Sequence, residues 1–174
     1  MTDDLRARIL AFLAAHTTLS LATRGPDGAP QAAALFYAHD DDLSLYFLSD
    51  PATRHARALA ADPRVAATIQ DDGQAWQEIQ GVQIAGTAAP VEGVAALARA
   101  AALYAARFGF LAGLLQGRGE GPSTLVGPLA RSRFYVLRPR WLRLIDNRVR
   151  FGYKEELILD EDWRNPCSPS DSSA

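Results

Sequence analysis

Cysteine is almost absent from this chain: only Cys167, in a Pro/Ser-rich tail, carries a thiol, so an intramolecular disulfide and a thiolate zinc cluster are both excluded. That usage fits a reducing cytoplasm, the expected location. Histidine is scarce too. His16, His39 and His55 show no metal-ligand spacing, so no metal site is expected. A basic block is missing, since the net charge is −2 and the arginines are dispersed. This argues against a partner bound through its phosphate backbone, as nucleic acid is, and against a polybasic membrane anchor. No run approaches the roughly 18–20 apolar residues of a membrane-spanning helix. The start, MTDDLRARIL, is acidic and amphipathic, unlike a signal peptide. Walker A, dinucleotide and Gly-x-Ser-x-Gly signatures are also lacking, as is any internal repeat.

What is present suits one globular domain. The chain has 174 residues, 48% hydrophobic and 22% charged, enough for a core. We expect a domain over residues 1–159 and a polar, disordered tail over 160–174. In residues 3–16, Leu5, Ile9, Phe12 and Leu13 share a helical face, with Asp3 and Asp4 in the first turn, which predicts an amphipathic lid helix. Three alternating segments follow: Leu19–Arg24, Pro30–Ala38 and Leu43–Ser49. The turns GPDG and HDDD join them, as in an antiparallel meander. The aspartates of the second turn, Asp40–Asp42, read as solvated. A strand over Arg64–Gln70, a long β run over Trp76–Ala89 and a helix over 93–116 come next. Gly81 and Gly86 inside the long run suggest a bulge or a close backbone approach. The Gly-rich stretch 117–127 reads as a connecting loop. Strands at Arg133–Leu137 and Trp141–Ile145, separated by a turn at Pro139, and a last pairing through Val149 and Phe151 complete the chain. The aromatics, Trp76 and Tyr153 among them, are expected in the core or at a subunit interface. Parallel β-α alternation is absent, so the fold class is mainly β, an antiparallel barrel with peripheral helices.

The chemistry gathers in LSLYFLSDPATRHARALAA, residues 43–61, where a strand runs into a short helix. Asp50 is the expected N-cap and Pro51 the first helical residue. Ser49, Thr53, Arg54, His55 and Arg57 collect at this junction, where free N–H groups and the positive end of the helix dipole favour an anion such as phosphate. The alternative is that the three basic side chains form an ordinary solvated face.

With this segment, the Asp62-Pro63-Arg64-Val65 that follows it and the IQGVQIAG strand in view, the chain resembles the pyridoxamine 5'-phosphate oxidase-like FMN-binding split barrels over residues 5–155. The closing IDNRVRFGYKEEL further resembles a small bacterial branch of that superfamily. The resemblance implies an antiparallel split β-barrel and a homodimer with FMN at the subunit interface. It also implies hydride transfer through the flavin with a small-molecule substrate or nicotinamide donor, and the related deazaflavin stays open as cofactor. Ser49 and Thr53 would donate to the phosphate or ribityl chain, Arg54 would pair with the phosphate, and His55 stands where the superfamily usually has lysine. Gln80 and Gln83 would approach the polar edge of the ring, one of them only unless Gly81 forms a bulge. The backbone of Ala33, Ala34, Leu35 and Phe36 would meet the other edge. No residue is assigned a catalytic acid or base role. The oxidase's basic residues on the second strand and its Arg-x-His have no counterpart here, which speaks against pyridoxamine phosphate as substrate. The other reading is a non-catalytic flavin- or haem-binding or sensing protein of the same fold.

Overall fold

A computed structural model describes residues 2–109, 131–160 and 162. The loop expected at 117–127 and nearly all of the tail lie outside them. Helix α1 (Thr2–Ala15) precedes strands β1 (Thr18–Arg24), β2 (Pro30–Phe36), β3 (Ala38–His39) and β4 (Leu45–Ser49). Helix α2 (Arg54–Ala61), strands β5 (Arg64–Gln70) and β6 (Gln80–Pro90), and helix α3 (Val94–Arg107) follow. Strands β7 (Arg133–Asp146) and β8 (Lys154–Ile158) close the described part.

The strands form one antiparallel sheet in the order β2-β1-β5-β6-β7-β4-β3, with β8 paired to β7. Its organiser is β7. Along one side β7 carries β6, from Pro90↔Tyr135 to Gln80↔Asp146. Its other side is shared, β4 taking Arg133–Leu137 and β8 taking Trp141–Ile145. The turn expected at Pro139 is therefore a correction: β7 runs straight through. Pro139 sits at a register shift between Ala85 and Gly86 and in the fork between β4 and β8, where a missing N–H interrupts no regular ladder. Gly86 is required there, because a Cβ would lie 2.2 Å from the Arg138 carbonyl oxygen. Gly81 keeps regular register with Ile145, so the bulge is at Gly86 alone.

The sheet curls into a half-barrel, the split barrel the resemblance implies. β2 contacts β4 without forming a ladder, and this leaves the split. Strict alternation sends Leu19, Leu21, Val65, Ala67, Ile69, Val82 and Ile84 inward, and α1 seats Ile9 and Leu13, both 0% exposed, over them. Burial of each such aliphatic side chain contributes about 1.5–3 kcal/mol. Helix α3 packs Ala100 and Tyr104 on a second apolar cluster. It ends with Arg107, whose Nη2 donates to the carbonyls of Leu13 (3.0 Å), Ala14 (3.1 Å) and His16. A cation thus caps the C-terminal end of α1. Among the described residues no helix is long and apolar enough to cross a membrane.

Other expectations need correction. The run from Trp76 begins as a turn, and the strand starts only at Gln80. Trp76 is 60% exposed and meets Phe151 edge-on at 5.7 Å. Val149 and Phe151 lie in the β7–β8 turn, and Lys154–Ile158 provides the last pairing instead. Asp40 is 6% exposed rather than solvated. Its carboxylate accepts from the N–H groups of Asp42 and Ser44, from Tyr46 Oη at 2.9 Å and from Arg99 Nη2 at 3.1 Å. It holds the tight turn in which Leu43 adopts φ 66°.

Candidate functional site

At the end of β4 the chain turns before it becomes helical. Asp50 is not the N-cap. Its Oδ1 accepts from Ala52 N–H at 2.8 Å and its carbonyl from Thr53 N–H at 3.0 Å, forming a turn that includes Pro51. Thr53 is the N-cap of α2: it has extended backbone and its Oγ1 accepts from Ala56 N–H at 3.3 Å. A threonine with the right backbone displaced the aspartate because the Asp50 side chain was already satisfied by its own turn. The shift matters chemically. It puts the N–H groups of Arg54 and His55, which have no intrahelical acceptor, at the first two helical positions.

The polar cluster is compact. His55 Nε2 lies 2.6 Å from Ser49 Oγ and 3.3 Å from Thr53 Oγ1, and the two hydroxyl oxygens are 3.0 Å apart. Thr53 also donates to the Asp50 carbonyl at 2.8 Å, so its hydroxyl is used in both directions. Ser49 is 6% exposed, and its Oγ–H also has the Asp50 carbonyl within reach at 3.4 Å. Burial pushes the half-buried His55 imidazole below its usual range. Arg54 is exposed and has no hydrogen-bond or ion-pair partner among the described residues. Asp50, by contrast, is held below the usual carboxylate range by the Ala52 N–H and, next, by Arg131.

Opposite this junction runs β2. It ends the sheet order, so one edge of its backbone is unpaired by any strand among the described residues. Between them lies a groove of about 690 Å³ lined by Pro30, Gln31, Ala32 and Ala33 from β2 and by Ala52, Thr53, Arg54 and His55. That volume suits a cofactor. Next to it Thr23, directly across from Gln31, buries a hydroxyl that has no partner. Of the β2 positions singled out, Ala33 and Leu35 are half-buried and Ala34 and Phe36 are exposed.

The glutamines stand elsewhere. Gln80 and Gln83 face opposite sides of β6, and Gln80 donates to Asp146 Oδ2 at 2.9 Å, which commits it structurally. Gln83 is exposed on the outer face and lines a second groove of about 390 Å³ with Thr68, Gln70, Gln74 and Ile79, and Gln80 borders the same groove. It sits in a cross-strand row, Ala34–Ser20–Thr68–Gln83, three strand spacings or roughly 14 Å from β2. The structure thus joins Ser49, Thr53, Arg54, His55 and Ala33 and leaves Gln80 and Gln83 outside the group. Sequence reasoning missed Gln31, whose alternation with Ala33 toward the split was the available signal.

The cluster is not built as a hydrolase. Ser49 and His55 are at hydrogen-bond distance, yet Ser49 is buried and no described carboxylate bonds to His55. Its donor set suits an anion.

Comparison with known proteins agrees with this architecture. No curated protein matches the chain. Among solved structures, a conserved hypothetical protein from Mycobacterium tuberculosis is 27% identical, with 82% of this chain and 84% of that one covered and a TM-score of 0.64. A haem-binding protein from Mycobacterium smegmatis is 23% identical, with 84% and 55% covered and a TM-score of 0.63. The haem storage protein HutZ from Vibrio cholerae is 19% identical, with 87% and 92% covered and a TM-score of 0.61. The last two likenesses show the fold alone. The pyridoxamine 5'-phosphate oxidase family model matches residues 5–132, a span that takes in strands β1 to β6 and the Ser49–His55 junction, and the chain therefore belongs to the pyridoxamine 5'-phosphate oxidase family.

Proposed function

We propose that this protein binds FMN in the groove between β2 and α2 and acts as a flavin-dependent oxidoreductase, as a homodimer. The observation that carries the reading is the Ser49–Thr53–His55 cluster with Arg54 beside it, facing the unpaired edge of β2 across a groove of suitable volume. Arg54 supplies a planar fork of donors for a phosphate, and the first N–H groups of α2 add to it. Thr53 shapes the cradle by capping the helix. The strand-unpaired N–H and C=O groups of β2 over Ala33–Leu35 match the alternating donors and acceptors of a flavin ring edge, while the Phe36 carbonyl already accepts from Tyr104 Oη at 3.1 Å. When bound, the flavin supplies hydride transfer at N5, and the protein's part is binding, orientation and exclusion of water. Accordingly we assign no catalytic acid or base.

The dimer rests on the outer face of β2, β1 and β5. It presents Ala32, Ala34, Ser20, Ala22, Ala66 and Thr68, a patch of small side chains bordered by the exposed Phe36, which a second copy can approach closely. The cradle and the Gln83 groove are separate in one chain. A cofactor at the interface would join the cradle of one protomer to the Gln83 groove of the other.

Haem is the competing cofactor, since two of the relatives are described as haem proteins. Among the described residues the groove offers it only His55, whose Nε2 lies 2.6 Å from Ser49 Oγ. His16 has both nitrogens occupied, by the Phe12 carbonyl and Asp71. The absorption spectrum of the purified protein separates these readings. Flavin bands, or bands gained on adding FMN, support the proposal; a Soret band, or refusal of FMN, overturns it. Anaerobic stopped-flow reduction with NAD(P)H then tests the oxidoreductase.

A further inference from the structure

We propose that His55 makes phosphate binding at this cradle proton-linked. Its imidazole is neutral in the free protein and takes up a proton from solvent as the FMN phosphate arrives. This inference rests on the FMN reading and concerns how that site is regulated.

The geometry assigns His55 a role that a permanently charged residue could not have. His55 lines the groove, and in the free protein its Nε2 lies 2.6 Å from Ser49 Oγ and 3.3 Å from Thr53 Oγ1. The Ser49 hydroxyl has two further acceptors within reach, Thr53 Oγ1 at 3.0 Å and the Asp50 carbonyl at 3.4 Å. Once protonated, the ring has two N–H donors and no acceptor. Nε2–H then donates to the hydroxyl pair, whose protons pass on to Thr53 Oγ1 and the Asp50 carbonyl, so no polar group is stranded. One proton therefore adds a positive charge at the wall of the groove without breaking the cluster.

Among the described residues no fixed negative charge faces the ring to pre-empt this switch. Helix α2 packs on β1, β2 and β6. β6 has no titratable side chain, and the β2 residues along the groove have none either. Arg54 and Arg57 on α2 itself, and Arg133 across from Ser49, disfavour a protonated ring. The nearby carboxylates are already taken. Asp50 is engaged by Ala52 N–H and Arg131, and Asp62 by Arg24 and Arg64. The chain's single lysine, Lys154, is on β8, so no ammonium substitutes for the imidazolium. Burial without an anion keeps the ring neutral, and a phosphate dianion supplies the missing partner.

The test is calorimetric titration of FMN into the wild-type protein at pH 7 in buffers of different ionisation enthalpy. Riboflavin, which lacks the phosphate, is the control. Expected is net uptake approaching one proton per FMN and none with riboflavin, with FMN affinity falling by up to about tenfold per pH unit between pH 6.5 and 8. His55→Gln should still bind FMN, more weakly, with the uptake lost; titration of the FMN phosphate itself is common to both proteins and cancels in the comparison. His55→Lys should bind tightly at pH 8 with no slope. Equal proton uptake in wild type and His55→Gln overturns the inference while leaving the FMN reading intact. Failure of wild type to bind FMN at any pH overturns both.

Discussion

At the scale of single residues, the site is decided by which polar groups are already spent. Arg54 is an exposed cation with no partner among the described residues, and it stands in the first turn of α2. Arg54→Ala is expected to weaken FMN binding by about 1.5–3 kcal/mol, the worth of hydrogen bonds to a charged group, and fluorescence titration reads this directly. An unchanged dissociation constant would reduce Arg54 to a surface residue. His55 carries a consequence for stability as well. Its folded pKa lies below the unfolded value near 6.5, so the unfolded chain binds the proton more readily. The contribution of a neutral His55 is therefore present above pH 6.5 and lost as pH falls below it. As pH is lowered from 8 to below 6, the urea midpoint of wild type should fall relative to that of His55→Gln. Asp40 is the residue that composition misjudged. Four donors converge on its carboxylate, and Asp40→Ala strands a buried tyrosine hydroxyl and two turn N–H groups. A loss of about 3 kcal/mol in chemical denaturation is expected.

Elements show where local pattern suffices and where partners intervene. Strand β5 follows from alternation in RVAATIQ, residue for residue, and α1 from its apolar spacing, because both bury one regular face. Strand β7 does not. Pro139 argued for a break, yet the ladder to β6 on one side and the fork between β4 and β8 on the other carry the strand across it. The cap of α2 moved from Asp50 to Thr53 for a similar reason: two residues competed, and the turn claimed the first. The bulge gives a sharp test. In Gly86→Ala the new methyl would meet the Arg138 carbonyl, so the β6–β7 ladder must shift, at an expected cost of about 2–4 kcal/mol by thermal or urea unfolding. Ala85→Gly at the neighbouring position should cost about 1 kcal/mol or less.

For the whole molecule, the proposed dimer predicts that its small-residue face tolerates nothing large. Thr68→Arg places a long cation in the middle of the outer row between Ser20 and Gln83. We expect a folded monomer by analytical ultracentrifugation, with unchanged circular dichroism and FMN affinity reduced at least tenfold, if the interface completes the site. A dimer that persists in Thr68→Arg would place the interface elsewhere. By itself the sequence determined the mainly β class, the lid helix, the hairpin series and the Ser49–His55 junction. Each of these follows from spacing along the chain, either period 2, period 3.6 or a run of turn and capping residues. Tertiary structure alone decided that β2 is left at the edge of the split, that Gln80 is tied to Asp146, and that Gln83 lies across the sheet from the cradle. Those outcomes depend on which strands become neighbours and which polar groups find a partner first, and neither is encoded in local spacing. So too for the junction: the string of residues announced an anion site, but only the fold showed that its serine and histidine lie within hydrogen-bond distance of each other.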